Sequence, residues 1–468
     1  MDIFRTQKMS SVLNHIGENE KTLSILDLTL MSIGSVIGTG VMVLTGIVAA
    51  TEAGPSVAIS FVIGAIAAMV IVLCYSELSS NIPSSGGSYT FTYVTLGEIL
   101  AYVSGLCIVI AYLLSMATVA SGWGAYLTSF LDVFNIYLPK AITAIPSQGG
   151  FVNLPAMFSV VMILFIISAG TKDSKKFNNA MVITKIVVIF IFLLVGVFYV
   201  KKTNYEPFLP YGTSGVFTGA ASVFFAYCGF DATASAAPYV KNPKKALPIG
   251  LISSLAVCAA IYVGVSLVLT GITSYKNLNV PDALSYTLKL VGRSNVSMIV
   301  SLGTIIGILA VIFASNFATS QIMSTMSRDG LLPKVFSKKN KKDVPIVSLW
   351  SVGLVGAVLA GFCNLKDLAN FASIAFLLVY GMVSISVIVF RKKYPDIKRS
   401  FKTPLVPFVP ILGAGCCLFL MFNLKLNTWI VFIIVLCFIL ISYFLYGKKH
   451  SIIKENDTLK EAKKDEQN

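Results

Sequence analysis

The stretch GSVIGTGVMV, residues 34–43, puts three glycines and Thr39 into seven consecutive positions of an otherwise apolar run. A second stretch, FFAYCGFDATA, residues 224–234, sets Cys228, Gly229 and Asp231 into another such run. Glycine and polar side chains weaken a helix, so both stretches read as interruptions. A broken helix frees N–H groups carrying about +0.5 charge at one end and carbonyls carrying about −0.5 at the other. Two such breaks side by side suit a zwitterion, with its carboxylate at the N–H end and its ammonium at the carbonyl end. Thr39 and Gly40 would offer hydroxyl and N–H to the carboxylate, and Val36 a carbonyl. Phe225 and Cys228 would offer carbonyls to the ammonium. Ile37, Gly38, Ala226, Gly229 and Phe230 complete the candidate lining, with Ala226 leaving room beside the second break. The competing reading of Gly34-xxx-Gly38 is a helix-packing motif. The matching break in the second stretch favours binding, because corresponding interruptions in two halves of a membrane chain point to a central site.

Three ionisable residues within the runs bear on coupling and gating. Lys185, in NNAMVITKIVVIFIF, lies roughly 8–10 Å beyond the nearest polar loop at 1.5 Å per residue. It is close enough to snorkel toward headgroups. Alternatively, desolvation eases the loss of its proton, which makes it a candidate carrier of a coupled proton. Asp231 either caps the half-helix after the second break or carries protons, as intramembrane acids do. Glu77, at the end of the second run, reads as a gate or a loop anchor. The two histidines, His15 and His450, sit in the terminal segments, which excludes an intramembrane histidine relay or histidine-ligated metal. The eight cysteines show no metal spacing and read as small buried hydrophobes. No nucleophile–base pair appears in the runs, so an intramembrane enzyme is disfavoured, and no metal or cofactor is expected beyond a coupled proton.

The elements that position these residues follow from composition. The 468 residues are 56% hydrophobic and 12% charged, about half the charged fraction of a soluble domain. Twelve apolar runs, near 27–49, 56–79, 98–123, 152–169, 180–200, 215–238, 247–271, 296–323, 345–363, 369–390, 405–422 and 428–446, each approach the roughly 20 residues a spanning helix needs. The reading is an all-α integral membrane protein of twelve transmembrane helices. The first run is too long for the core of a signal peptide, so no cleavage is expected. With both termini cytoplasmic, 27 of the 36 Lys and Arg fall inside, eight outside, and Lys185 within a span, which sets the orientation. The +15 net charge then faces anionic lipid and does not imply nucleic acid. SSNIPSSGGSYTFTYV, residues 79–94, is expected as a re-entrant or interfacial helix on the inner surface, and the tail KENDTLKEAKKDEQN as mobile.

The motifs SVIGTGVMVLTG, AGPSVAISF, YSELSSNIPSSGGSYTF, FFAYCGFDATASA, VKNPKKALPIG and MSRDGLLP together resemble the amino acid–polyamine–organocation superfamily, nearest the bacterial cationic amino acid transporters, over roughly residues 25–445. The resemblance implies the leucine-transporter (APC) fold with a 5+5 inverted repeat and broken helices 1 and 6. It places residues 27–200 in the first repeat, 215–392 in the second, 405–446 in two accessory helices, and 1–26 and 447–468 in cytoplasmic segments. It implies that Phe225 or Phe230 closes over substrate, and that Lys185 replaces a sodium ion bridging spans 1, 5 and 8. The chain departs from cationic members at Ala111, where they carry an acid, and at Pro238 and Tyr239 before VKNP. No carboxylate remains to pair with a cationic side chain, and leaving that charge unpaired is costly. The expected function is plasma-membrane transport of small neutral amino acids, sodium-independent and proton-coupled. Exchange, cationic or polyamine substrates, and a non-transporting sensor are the alternatives. A monomer is expected, with a possible small accessory membrane subunit.

Overall fold

A computed structural model describes residues 4–7, 9, 23–170 and 174–452. Residues 10–22, 171–173 and the tail from 453, with Lys8, His15, Lys21, Lys172 and the mobile-tail expectation, lie outside the described residues, as do the side chains of 174–177. Among the described residues the regular structure is helical apart from a single parallel bridge between Leu23 and Val240. An apolar run in lipid must satisfy its own backbone, and helices do so.

The first helix, α1 (Ile25–Val36), begins at a capping box: Ser24 Oγ accepts from the Asp27 N–H (3.3 Å) and Asp27 Oδ2 accepts from the Ser24 N–H (2.9 Å). There follow α2 (Val57–Asn81), α3 (Ser88–Thr95), α4 (Glu98–Asp132), α5 (Leu154–Ser168), α6 (Ser174–Gly196), α7 (Gly212–Val223), α8 (Phe230–Ala234) and α9 (Pro243–Ile272). The second half comprises α10 (Ala283–Leu290), α11 (Ser294–Arg328), α12 (Ile346–Phe362), α13 (Leu365–Lys393), α14 (Phe408–Phe422) and α15 (Leu426–Ser442). Among the described residues eight helical stretches are long and apolar enough to cross a membrane, and α1, α5, α12 and α14 are shorter apolar helices. The runs expected at 27–49 and 56–79 do not separate cleanly, because Gly40–Asn81 is nearly continuous helix. The chain turns within it at Gly54 (φ +68°), where a Cβ would lie 2.2 Å from Pro210 Cγ.

The central packing runs α4 along α11 and α13, with α9 against α1 and α2. One expectation is narrowed here: within the 79–94 segment a helix forms, α3, and all eight of its residues are buried in the protein, which speaks against a helix lying on the surface and leaves the re-entrant alternative. The apolar and aromatic residues of α3 fill space between helices, and Tyr89 Oη donates to Asp329 Oδ2 (2.7 Å). A second concerns the cysteines. All eight are free, but Cys437 is exposed on the outer side of α15 and Cys363 and Cys416 are only partly buried.

Buried carboxylates organise both ends of the bundle, Glu98 at the end that bears the termini. Glu98 accepts from Arg5 Nη2 (3.2 Å), Tyr93 Oη (3.1 Å), Tyr443 Oη (2.9 Å) and Ser451 Oγ (2.5 Å), so both described ends of the chain meet at one side chain. At the opposite end of the helices Glu52 pairs with Lys366 at 2.7 Å.

Candidate functional site

Both expected interruptions are breaks in helical geometry. At the first, α1 stops at Val36 and Ile37 is extended (φ −73°, ψ 105°). Thr39 then leads into a π-helical turn, Gly40–Leu44. The stop exposes the last carbonyls of α1, and side chains from two other helices take them. Lys185 Nζ donates to Gly34 O (2.5 Å) and Ile37 O (2.7 Å), and Tyr262 Oη lies 2.9 Å from Val36 O. Beyond the break, the Thr39 hydroxyl is fully buried and has no hydrogen-bond partner in the protein. Several buried helical hydroxyls bond back to a carbonyl one turn earlier, as Thr45 does to Val41 O (2.8 Å), although others, Ser104 and Thr304 among them, are unpartnered as Thr39 is. The break denies Thr39 that turn.

At the second break, α7 tightens into a 3₁₀ turn, Phe224–Tyr227, and Cys228 is extended. Gly229 takes φ +108° before α8 begins. Only glycine suits that conformation, and a Cβ there would also lie 2.7 Å from Ser35 O. The Phe225 carbonyl accepts from the Cys228 N–H (3.1 Å) within the turn. The Ala226 carbonyl lies 2.8 Å from Tyr262 Oη. One hydroxyl has one proton, so Tyr262 serves Val36 O or Ala226 O at any moment and leaves the other open. The two breaks touch directly: a Cβ on Gly40 would sit 2.4 Å from Ala226 Cα and Cβ, and one on Gly38 would sit 3.1 Å from Val311 Cγ2. The structure therefore brings Val36, Ile37, Gly38, Thr39 and Gly40 together with Phe225, Ala226, Cys228 and Gly229.

Lys185 is fully buried, between α1, to whose carbonyls it donates, and α11, where a Cβ on Gly307 would fall 2.4 Å from its own Cβ. It does not snorkel. Its charge is met by carbonyls at the C-terminal end of α1, the end that attracts cations, and among the described residues it joins no ion pair. Asp231, in the first turn of α8, is 4% exposed. It accepts from Tyr380 Oη (2.7 Å) on α13, beside the Gly229 N–H and Tyr112. Phe230 is fully buried, with its ring centroid 5.0 Å from Tyr380 and 5.3 Å from Tyr75. Phe225 is 5% exposed and lies within the break itself.

Glu77 is far from the breaks in its bonding. It takes a two-pronged contact from Arg391 (Nε 2.9 Å, Nη2 2.8 Å) and accepts from the Thr403 N–H (2.7 Å), with Arg399 Nε at 3.4 Å. That geometry anchors the loop after α13. The residues missed by sequence reasoning are Tyr262, Tyr380 and Trp123, whose Nε1 donates to Ile305 O (3.0 Å). Their signal was a polar handle on an aromatic inside an apolar run, which must find a partner when buried. Among the described residues no group of three His, Cys, Asp or Glu could hold a metal ion.

A family model described as amino acid permease matches residues 23–444. The methylthioribose transporter of Bacillus subtilis is 47% identical over 438 residues, 93% of this chain and 95% of that protein. The branched-chain amino acid permease of the same organism is 43% identical over 442 residues, with the same two coverages. The vacuolar cationic amino acid transporter 4 of Arabidopsis thaliana is 32% identical over 410 residues, 84% of this chain and 68% of that protein.

Proposed function

The chain belongs to the amino acid permease family, and from that premise we propose that it carries small neutral L-amino acids across the plasma membrane. It is a multi-pass membrane permease and not an enzyme. The proposal adds the finer mechanism: secondary active transport by alternating access, on a leucine-transporter fold of twelve helices with a 5+5 inverted repeat and both termini cytoplasmic. A monomer is the working unit, with room for a small accessory membrane subunit.

The observation that carries the reading is the Thr39 hydroxyl, buried at a helix break with no protein partner and adjacent to Gly40. A substrate carboxylate would complete it, while the carbonyl that Tyr262 leaves open, at Val36 or Ala226, would receive the ammonium. Phe225 or Phe230 would close over the ligand. With its ammonium between α1, α6 and α11, Lys185 stands in for a bound sodium ion, which supports sodium-independent transport. The coupled proton would ride on Lys185 or Asp231, and amino acid exchange is the alternative to proton symport.

A second reading comes from the relative named methylthioribose transporter. Methylthioribose is an uncharged sugar thioether and needs no zwitterion clamp. Thermal stability of the detergent-purified protein separates the two, against a panel of L-leucine, L-valine, L-alanine, L-arginine, their methyl esters, the decarboxylated amines and methylthioribose. A ligand near 100 times its dissociation constant adds about 2.7 kcal/mol to the native state. Stabilisation by neutral amino acids but not by their esters or amines supports the clamp. Stabilisation by methylthioribose alone replaces it, and a lead by arginine or the amines overturns the neutral-substrate reading.

A further inference from the structure

We infer that Gly122, on α4, is a positioning residue for the substrate carboxylate because its missing side chain sets the rotamer of Thr39. The inference rests on the reading of Thr39 given above and extends it to a helix that contributes none of the residues in that reading. A Cβ built on Gly122 would lie 2.4 Å from Thr39 Cγ2, 3.4 Å from Thr39 Cβ and 3.1 Å from Val43 Cγ2. Carbon atoms rest about 3.5–4.0 Å apart, so the methyl group of Thr39 occupies the space that any other residue at 122 would claim. Oγ1 and Cγ2 share one Cβ, and a β-branched side chain turns only between a few rotamers. Displacing Cγ2 therefore displaces the hydroxyl with it.

The methyl cannot be absorbed by a retreat of α4, which is tied on both sides of Gly122, before it by Ser121 Oγ donating to Ala360 O of α12 (3.3 Å) and after it by two further bonds. Trp123 Nε1 donates to Ile305 O of α11 (3.0 Å), and Tyr126 Oη donates to Met42 O in the π-helical turn after the break (2.8 Å). The second bond holds α4 to the very segment that carries Thr39. Strain from an added Cβ falls on the Thr39 side chain, the one polar group at the first break that is buried and unpartnered.

The test is Gly122→Ala, read in proteoliposomes as the half-saturation concentration and maximum rate for whichever of L-leucine, L-valine and L-alanine the wild type takes up best. The half-saturation concentration should rise roughly tenfold or more, the factor that losing one hydrogen bond to a charged group carries, with the maximum rate within about twofold, the signature of lost binding alone. Thr39→Ser removes the clashing Cγ2 and keeps the hydroxyl. The double variant Gly122→Ala/Thr39→Ser should therefore return to the Thr39→Ser value, Val43 giving way by a few tenths of an ångström. Gly381→Ala, whose methyl meets nothing nearer than Cys417 Cβ at 3.6 Å, is the control for a glycine substitution in a span.

Wild-type affinity in Gly122→Ala, or no rescue by Thr39→Ser, overturns the inference. If Gly122→Ala alone fails to fold, a folded double variant that binds like Thr39→Ser supports it, and failure of both overturns it. Thr39→Ala separates this from the underlying reading. Unchanged affinity there means that Thr39 is not a ligand and both fall. Lost affinity there with a silent Gly122→Ala leaves the substrate reading standing and removes the role of Gly122.

Discussion

Replacing Lys185 by Met keeps most of the stem that packs against Gly307 and deletes the ammonium. Two buried carbonyls, Gly34 O and Ile37 O, lose donors at 2.5 and 2.7 Å. Hydrogen bonds to charged groups contribute about 1.5–3 kcal/mol each, so about 3–6 kcal/mol of local interaction goes. Against this stands the several kcal/mol of desolvation that burying an ammonium costs, which the variant no longer bears. Global stability should therefore change little, with a melting temperature in detergent within a few degrees of wild type. The local effect is not offset, because the C-terminal end of α1 at the break loses what fixes it. If even 3 kcal/mol separates the held from the released end, the binding-competent population falls to about one in 150, and apparent affinity falls with it. Uptake by Lys185→Met should show a half-saturation concentration raised on the order of 100-fold, and wild-type uptake should be the same in sodium and choline buffers. Full activity in Lys185→Met, or sodium-stimulated uptake by the wild type, refutes the assignment of the lysine to the place of a cation.

Tyr262→Phe removes one hydroxyl that lies between Val36 O and Ala226 O. The loss should be about 1–3 kcal/mol, seen as a lower melting temperature that saturating substrate partly restores. Gly229→Ala places a Cβ at φ +108° and 2.7 Å from Ser35 O. Beyond the roughly 1–3 kcal/mol of backbone strain, it pushes the two breaks apart, so ligand-induced stabilisation should vanish while the protein still purifies. Glu77→Gln leaves Arg391 and Arg399 facing a neutral amide. Removing one partner of a buried pair costs about 3–5 kcal/mol, and the low end applies because Arg391 is 27% exposed. The variant should melt several degrees lower with its half-saturation concentration unchanged, because Glu77 anchors a loop and does not touch the breaks.

Where the helices stop was legible in the chain because stopping is a local property. Gly34, Gly38, Thr39 and Gly40 weaken one run, and Gly229 in the second takes a backbone conformation that a side chain would strain. Lys185 was legible as an outlier, although sequence alone left it between the headgroups and the interior. What fills the freed carbonyls was not legible. Tyr262 reaches Val36 across 226 residues, and Tyr380 reaches Asp231 across 149. In sequence such tyrosines look like packing aromatics at helical spacing. The placement of α3 stayed open between re-entrant and interfacial for a related reason: the helices that cover this Ser- and Gly-rich stretch lie elsewhere in the chain.

The distribution of polar contacts suggests which parts of the molecule are firm and which yield. Glu98 and Glu77, both fully buried, each gather several donors from segments distant in sequence. Such networks break only at high cost. At the two breaks, by contrast, one tyrosine proton is divided between two carbonyls, one threonine hydroxyl is unpartnered, and the backbones touch through Gly40 and Gly229 with no side chains between them. Local opening follows where the fewest interactions must be given up, so movement should centre on the breaks and leave the carboxylate hubs intact. A ligand that supplies a carboxylate to Thr39 and an ammonium to the open carbonyl would add contacts in the state where the breaks meet. It can shift the conformational balance only by that difference, which ties substrate choice and movement to the same few groups.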